Sequence, residues 1–127
     1  MHIVVAPLYV WATKKKKFHF NLNVYRNSHF FTMNKAKADT KAVLKNQILA
    51  LPKFNKVRLT FTLFPKTKRL CDLDNIHSII CKFFQDALVE YEKIPEDNYL
   101  FIPEVDFRFG EVDKTNPRIE IQLEELL

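Results

Sequence analysis

The distribution of apolar and polar positions predicts five strands and two helices. Val57, Leu59, Phe61 and Leu63 alternate with Arg58, Thr60 and Thr62, the period of a strand with one buried face. Phe18, Phe20 and Leu22 alternate with His19 and Asn21 in the same way, and Ile3 to Val10 reads as an apolar strand at a sheet edge, because Pro7 interrupts it. Near the end of the chain, Phe101, Val105, Phe107 and Phe109 alternate with Ile102, Glu104, Asp106 and Arg108. Ile119, Ile121 and Leu123 alternate with Arg118, Glu120 and Gln122, and Gly110 to Pro117 reads as the hairpin connection between these last two strands.

Helical spacing appears twice. Ile76, Ile79, Ile80, Phe83, Ala87, Leu88 and Tyr91 fall on one face of a helix, with Asp74 at its N-cap position and Pro95 beyond its end. A second helix is predicted from about Thr32 to Leu49, with Met33, Ala36, Thr40, Val43, Leu44 and Ile48 inward and Pro52 past its end. Lys37, Lys41 and Lys45 recur every four residues on it as a basic stripe. The polar stretch Asn23 to Ser28 reads as a loop, and Lys14 to Lys17 as an exposed turn. The predicted architecture is α+β: a single two-layer domain over residues 1–127, with a mixed or antiparallel sheet covered by two amphipathic helices.

Composition narrows the chemistry. The chain has 127 residues, enough for one core, and a single glycine, Gly110. One glycine excludes the P-loop and the dinucleotide fingerprint, which need several to let backbone approach phosphate, so no nucleotide cofactor is expected. Two cysteines, Cys71 and Cys81, make no disulfide framework and fit a reducing compartment. No run of residues is long and apolar enough to span a membrane, and Met1 to Trp11 lacks the basic lead of a signal peptide. The expected location is the cytoplasm, the host's if the chain is phage-encoded.

Charge divides the chain. Residues 1–70 hold fifteen Lys and Arg against one acid, Asp39, while residues 71–127 hold five against fourteen acids; the net is +5. A basic half suits a polyanion partner, and a carboxylate-rich half suits a divalent cation. Two signs mixed over an ordinary surface are the plainer reading.

One segment concentrates both signs: the basic loop Lys66, Lys68, Arg69, followed by Asp72-Leu73-Asp74-Asn75. In extended chain, side chains two apart point the same way, so Asp72 and Asp74 would converge, and converging carboxylates call for a cation. Mg2+ takes oxygen ligands and keeps several waters. Alternatively, Asp74 caps the helix and Asp72 is a turn residue.

Asp72-Leu73-Asp74-Asn75, a helix with Lys82 and Asp86-Ala87-Leu88, and Glu96-Asp97-Asn98 before a strand resemble the RusA-like Holliday junction resolvase family, phage-type members in particular. Asn21-Leu22-Asn23-Val24-Tyr25-Arg26-Asn27, followed by His29, Asn34 and several lysines, extends the resemblance over nearly the whole chain. The resemblance implies a homodimeric, Mg2+-dependent endodeoxyribonuclease, with Mn2+ able to substitute, that cuts four-way or other branched DNA in recombination and repair. It carries the metal-binding and catalytic acids onto Asp72, Asp74 and Asp97. The family lysine falls on Lys82 when counted back from Asp86, and on Ser78 when counted forward from Asp74; an extra helical turn in phage-type members would account for the difference. An Asp is expected in such members where this chain has Cys81. Asp74, Ser78 and Lys82 share one helix face, with Lys82 about 12 Å along the axis from Asp74. Lys66, Lys68, Arg69, Arg26, Lys37, Lys41 and Lys45 are the candidate DNA-phosphate contacts.

Three rivals remain. Cys71, His77 and Cys81 offer a zinc site without an evident fourth ligand. A nuclease of the PD-(D/E)xK type needs an acid-x-Lys triplet that the final strands lack. A non-catalytic junction-binding or nucleic-acid-binding protein of the same fold would keep the basic half and need no metal.

Overall fold

The computed structural model describes residues 1–127. Its elements are β1 (His2–Ala6), β2 (Tyr9–Trp11), β3 (Lys17–His19), α1 (Leu22–Asn27), α2 (Phe30–Leu49), β4 (Val57–Phe64), α3 (Leu73–Glu90), β5 (Glu104–Phe109) and β6 (Arg118–Glu125). The main sheet is mixed, with strand order β1-β6-β4-β5; β2 and β3 form a separate two-stranded sheet. The α+β class therefore holds, with three helices rather than two. No helix is long and apolar enough to cross a membrane.

Strands β4 and β6 occupy the two inner positions, and the inward residues of both are apolar and fully buried. In β4 these are Val57, Leu59, Phe61 and Leu63. Strand β4 pairs antiparallel with β6 and parallel with β5, and α3 makes the crossover that a parallel pair requires. This corrects the expected hairpin: β5 and β6 are not neighbours. Residues 110–117 instead pass the end of β4, where Gly110 N donates to Leu63 O at 2.9 Å and Asp113 N donates to Pro65 O at 2.8 Å. Gly110 is needed there, since a Cβ would sit 2.6 Å from Cε1 of Phe64. Arg118 lies over that same ring at 4.0 Å and is itself held by Asp113 and Glu120, at 2.8 Å each.

The N-terminal apolar run is two strands, not one. Pro7 separates β1, an edge strand of the main sheet, from β2 of the small sheet. Gln47 of α2 serves β1 as a substitute strand: its side chain donates to Val5 O (2.9 Å) and accepts from Val5 N (2.8 Å). Those two groups would otherwise be an open pairing edge. Asn23 to Ser28 is also corrected, from loop to helix. Asn21 caps it by accepting from Asn23 N and Val24 N, at 2.8 and 3.3 Å, and Leu22, Val24 and Tyr25 pack on the core.

Helix α3 is buried over a broader arc than its spacing predicted. His77, Cys81 and Phe84 are buried, and Ile76 and Tyr91 are only half-buried. The reason is that α3 has neighbours on two sides. Phe84 and His77 meet Phe61 of the sheet, whereas Phe83 meets Phe18, Phe20 and Tyr25. On α2 the buried residues are Ala36, Thr40, Leu44 and Ile48; Val43 is exposed.

Candidate active site

Helix α3 starts two residues earlier than predicted. Asp72 is its N-cap residue, in extended conformation and without a side-chain capping bond, and Asp74 lies in the first turn. The half-buried Leu73 packs on the core and draws the first turn in. The expected convergence of Asp72 and Asp74 through extended chain therefore does not apply, because positions two apart around a helix start do not face each other. Both side chains are exposed. Asp74 in the first turn also complements the helix dipole, a sufficient structural reason for an acid there.

Asp97 sits in the segment between α3 and β5. That segment is fixed by Ile94 and Ile102, which are buried, and by Asn98, whose backbone oxygen accepts from Phe101 N (3.1 Å) and Ile102 N (2.9 Å). Asn98 Nδ2 also donates to Glu96 at 2.7 Å, and Asn98 Oδ1 accepts from Leu100 N at 3.0 Å. So anchored, Asp97 lines a shallow groove of about 390 Å³ together with Ser78, Cys81, Lys82, Gln85, Asp86 and Phe107. The structure thus brings Asp97, Ser78 and Lys82 to one groove along α3. Asp72 and Asp74 are not among its lining residues.

The ion pairs sort the cations. Lys37 pairs with Asp86 at 2.7 Å and Lys41 with Glu90 at 2.6 Å, so the stripe on α2 faces an acidic stripe on α3 and joins the two helices. Tyr91 adds a bond from its hydroxyl to Lys41 O at 3.0 Å. Arg26, Lys45, Lys66, Lys68 and Arg69 are exposed and stand in no ion pair. Lys82 is exposed and unpaired as well: Asp86, four residues on, is engaged by Lys37 instead.

His77, a ligand in the zinc alternative, has a structural role in the fold. It is fully buried, its ring lies 5.4 Å from that of Phe107, and its Nε2 is 3.1 Å from Arg108 O. A carbonyl only accepts, so Nε2 carries the proton and donates, which ties α3 to β5 beside the groove. Nδ1 of His77 and Oγ of Ser78 are buried without partners. Burial pushes the Cys81 thiol up to about 11, against the opposing bond from Gln85 Nε2, which donates to Sγ at 2.9 Å. Cys71 is exposed on the loop before α3 whereas Cys81 is buried on the helix, and no three His, Cys, Asp or Glu side chains are gathered around them. The zinc reading has no geometric support.

Burial holds the pKa of His77 below its ordinary value, with the Arg108 bond a smaller opposing influence. Above pH 6.5 His77 is neutral folded and unfolded, and its contribution is complete. Below it the unfolded chain takes up a proton that the folded chain refuses. Stability is expected to fall with decreasing pH, by up to about 1.4 kcal/mol per pH unit from this group. Urea midpoints from pH 7.5 to 5 measure the slope. An equal slope in His77→Leu would assign it elsewhere.

No three His, Cys, Asp or Glu side chains are gathered closely enough to enclose a metal ion. A Mg2+ site in phosphoryl transfer, however, needs only one or two carboxylates, the rest of its shell being water and substrate phosphate. The exposed oxygens of Asp72, Asp74 and Asp97 are donors of that kind. No protein-family model matches the chain, and no curated protein matches it.

Proposed function

We propose that this protein is a Mg2+-dependent endonuclease of four-way or branched DNA, acting as a homodimer. The observation that carries the reading is the groove along α3, where Asp97 and an unpaired Lys82 lie together. These are the third acid and the lysine that the RusA-like resemblance singles out. Asp97 would offer the cation a carboxylate from the groove, and the exposed Asp72 and Asp74 at the start of α3, outside the groove lining, are the other two acids the resemblance assigns to it. When bound, the cation supplies Lewis acidity at the scissile phosphodiester.

The chain's own residues have separate tasks. Lys82 offers a fixed positive charge to the phosphate oxygens as negative charge grows there, an interaction stronger at the transition state than before it. Lys66, Lys68 and Arg69 lie on the loop leading into α3, next to Asp72, and would hold flanking phosphates irrespective of sequence. Arg26 and Lys45 are available for a more distant arm. Lys37 and Lys41 are better assigned to the α2–α3 junction, since contact with DNA would require giving up Asp86 and Glu90.

A labelled four-way junction and a matched linear duplex, incubated with the protein in Mg2+ and in EDTA, test this. Paired incisions in the junction that require Mg2+ are the expected result. Tight junction binding without incision, in Mg2+ or Mn2+, would leave a non-catalytic binder and point to Cys81, at the groove position where a carboxylate was expected.

A further inference from the structure

A second cavity, beside the small sheet, lies apart from the α3 groove and shares only Lys66 with the nuclease reading. It has a volume of about 910 Å³, within the ~300–1,000 Å³ of ligand sites. The small sheet supplies one wall. Tyr9 is in register with His19, and Trp11 with Lys17. The alternate residues Val10 and Phe18 are buried, so Tyr9, Trp11, Lys17 and His19 share the outer face and all line the cavity. Tyr9 and Trp11 stand perpendicular, 5.9 Å between centroids, and His19 lies 5.5 Å from Tyr9. Trp11 is 46% exposed, a large flat surface left in water.

The charge around these rings is positive. Lys17, Lys66 and Lys114 line the cavity; its one acid, Asp39, already pairs with Lys35. Lys17 Nζ lies over the Tyr9 ring, 4.4 Å from its centroid, so that a cation and an aromatic face are presented together. Lys14, Lys15 and Lys16 extend the same charge along the exposed turn between β2 and β3. Aromatic faces interleaved with lysines suit a ligand that is flat and apolar at one point and anionic at the next. An unpaired base in a nucleic-acid strand has both properties; an acidic peptide lacks the first and a membrane surface lacks the repeat.

We infer that the cavity beside β2 and β3 is a single-strand site, in which an unpaired base stacks on the exposed face of Trp11, edge-on to Tyr9, while Lys17, Lys66 and Lys114 hold the adjoining phosphates. Lys66 is six residues before Asp72, so the site lies within about 22 Å of the start of α3 along the connecting chain. A strand opened at a branch point can reach both. The inference rests on the cavity alone and does not require that the protein cut DNA.

Trp11 is the only tryptophan, so intrinsic emission reports this wall directly. The full chain is titrated in EDTA with a thymidine decamer and with an abasic decamer of equal length, following Trp11 emission and strand anisotropy together. The thymidine strand is expected to quench Trp11 and to bind about tenfold more tightly than the abasic one, with Trp11→Ala, followed by anisotropy, removing most of that difference. Lys114→Ala is expected to lower the slope of log affinity against log salt by about 0.7 while the quench remains. Binding without quench, or equal affinity for both decamers, would overturn the site, since the strand would then be held by charge elsewhere. No binding at all would also overturn it and leave the rings as a protein-docking patch. Junction cleavage persisting beside either result would remove this site and leave the nuclease reading intact.

Discussion

Phe61→Ala is expected to cost about 3–5 kcal/mol, much of the roughly 5–15 kcal/mol by which a domain of this kind is stable. Phe61 is fully buried at the middle of the central strand. Its ring centroid is 6.0 Å from that of Phe107, 6.1 Å from that of His77 and 6.2 Å from that of Phe84, with steep edge-on angles to both phenylalanines. Truncation would leave a cavity bounded by both sheet and helix, whose rings are fixed by other contacts and collapse poorly. Phe109 makes a matched control. It lies in register with Leu63 on the same face of the sheet, yet is 54% exposed. Phe109→Ala is expected to cost less than about 1 kcal/mol. Urea midpoints of the two variants measure the contrast; similar losses would mean that the helix layer covers β5 more fully than the structure shows.

Phe61 and Phe109 also mark how far the sequence could be read. Alternation groups Phe61 with Leu59 and Leu63, and Phe109 with Val105 and Phe107, on one face of each strand. It does not say which strand is central, and centrality decides burial at an edge such as β5. The same limit hid the strand order. Two consecutive alternating runs joined by a short polar stretch look like a hairpin, and only the parallel pairing of β4 with β5, made through α3, places β4 between them. Local chemistry misled at Asn23 to Ser28, where polar residues form a helix because Asn21 caps it and three apolar side chains find the core.

The candidate site was legible in part. Spacing put Asp74, Ser78 and Lys82 on one face of a helix, and the groove contains the last two of them. That Asp97 joins them follows from how the chain returns to β5, which no local pattern encodes. The expected pairing of Asp72 with Asp74 rested on extended backbone that the helix start replaces. The fate of Lys37 and Lys41 depended on the facing helix, since Asp86 and Glu90 repeat at the same four-residue spacing. A signal was available for the aromatic wall: Tyr9 and Trp11, two apart ahead of a lysine turn, already share a face in the sequence.

Lys82→Ala is expected to slow single-turnover junction cleavage by about 100- to 1,000-fold, the usual effect of removing one group aimed at transition-state charge. Junction affinity and the urea midpoint should hardly move, since Lys82 is exposed and carries no ion pair. Asp97→Asn is expected to match it in cleavage, with the loss partly relieved by Mn2+ if the carboxylate helps hold the cation. Lys37 offers a finer test. By engaging Asp86, it keeps a carboxylate four residues from Lys82 from neutralising it. Lys37→Ala releases that carboxylate, so cleavage should drop, though by far less than with Lys82→Ala, because an exposed pair is worth only about 0–1 kcal/mol. The double variant Lys37→Ala with Asp86→Ala should then recover the rate. If Lys82→Ala cleaves at the wild-type rate, the transition-state charge is met by another group, and Lys82 is a solvated surface lysine.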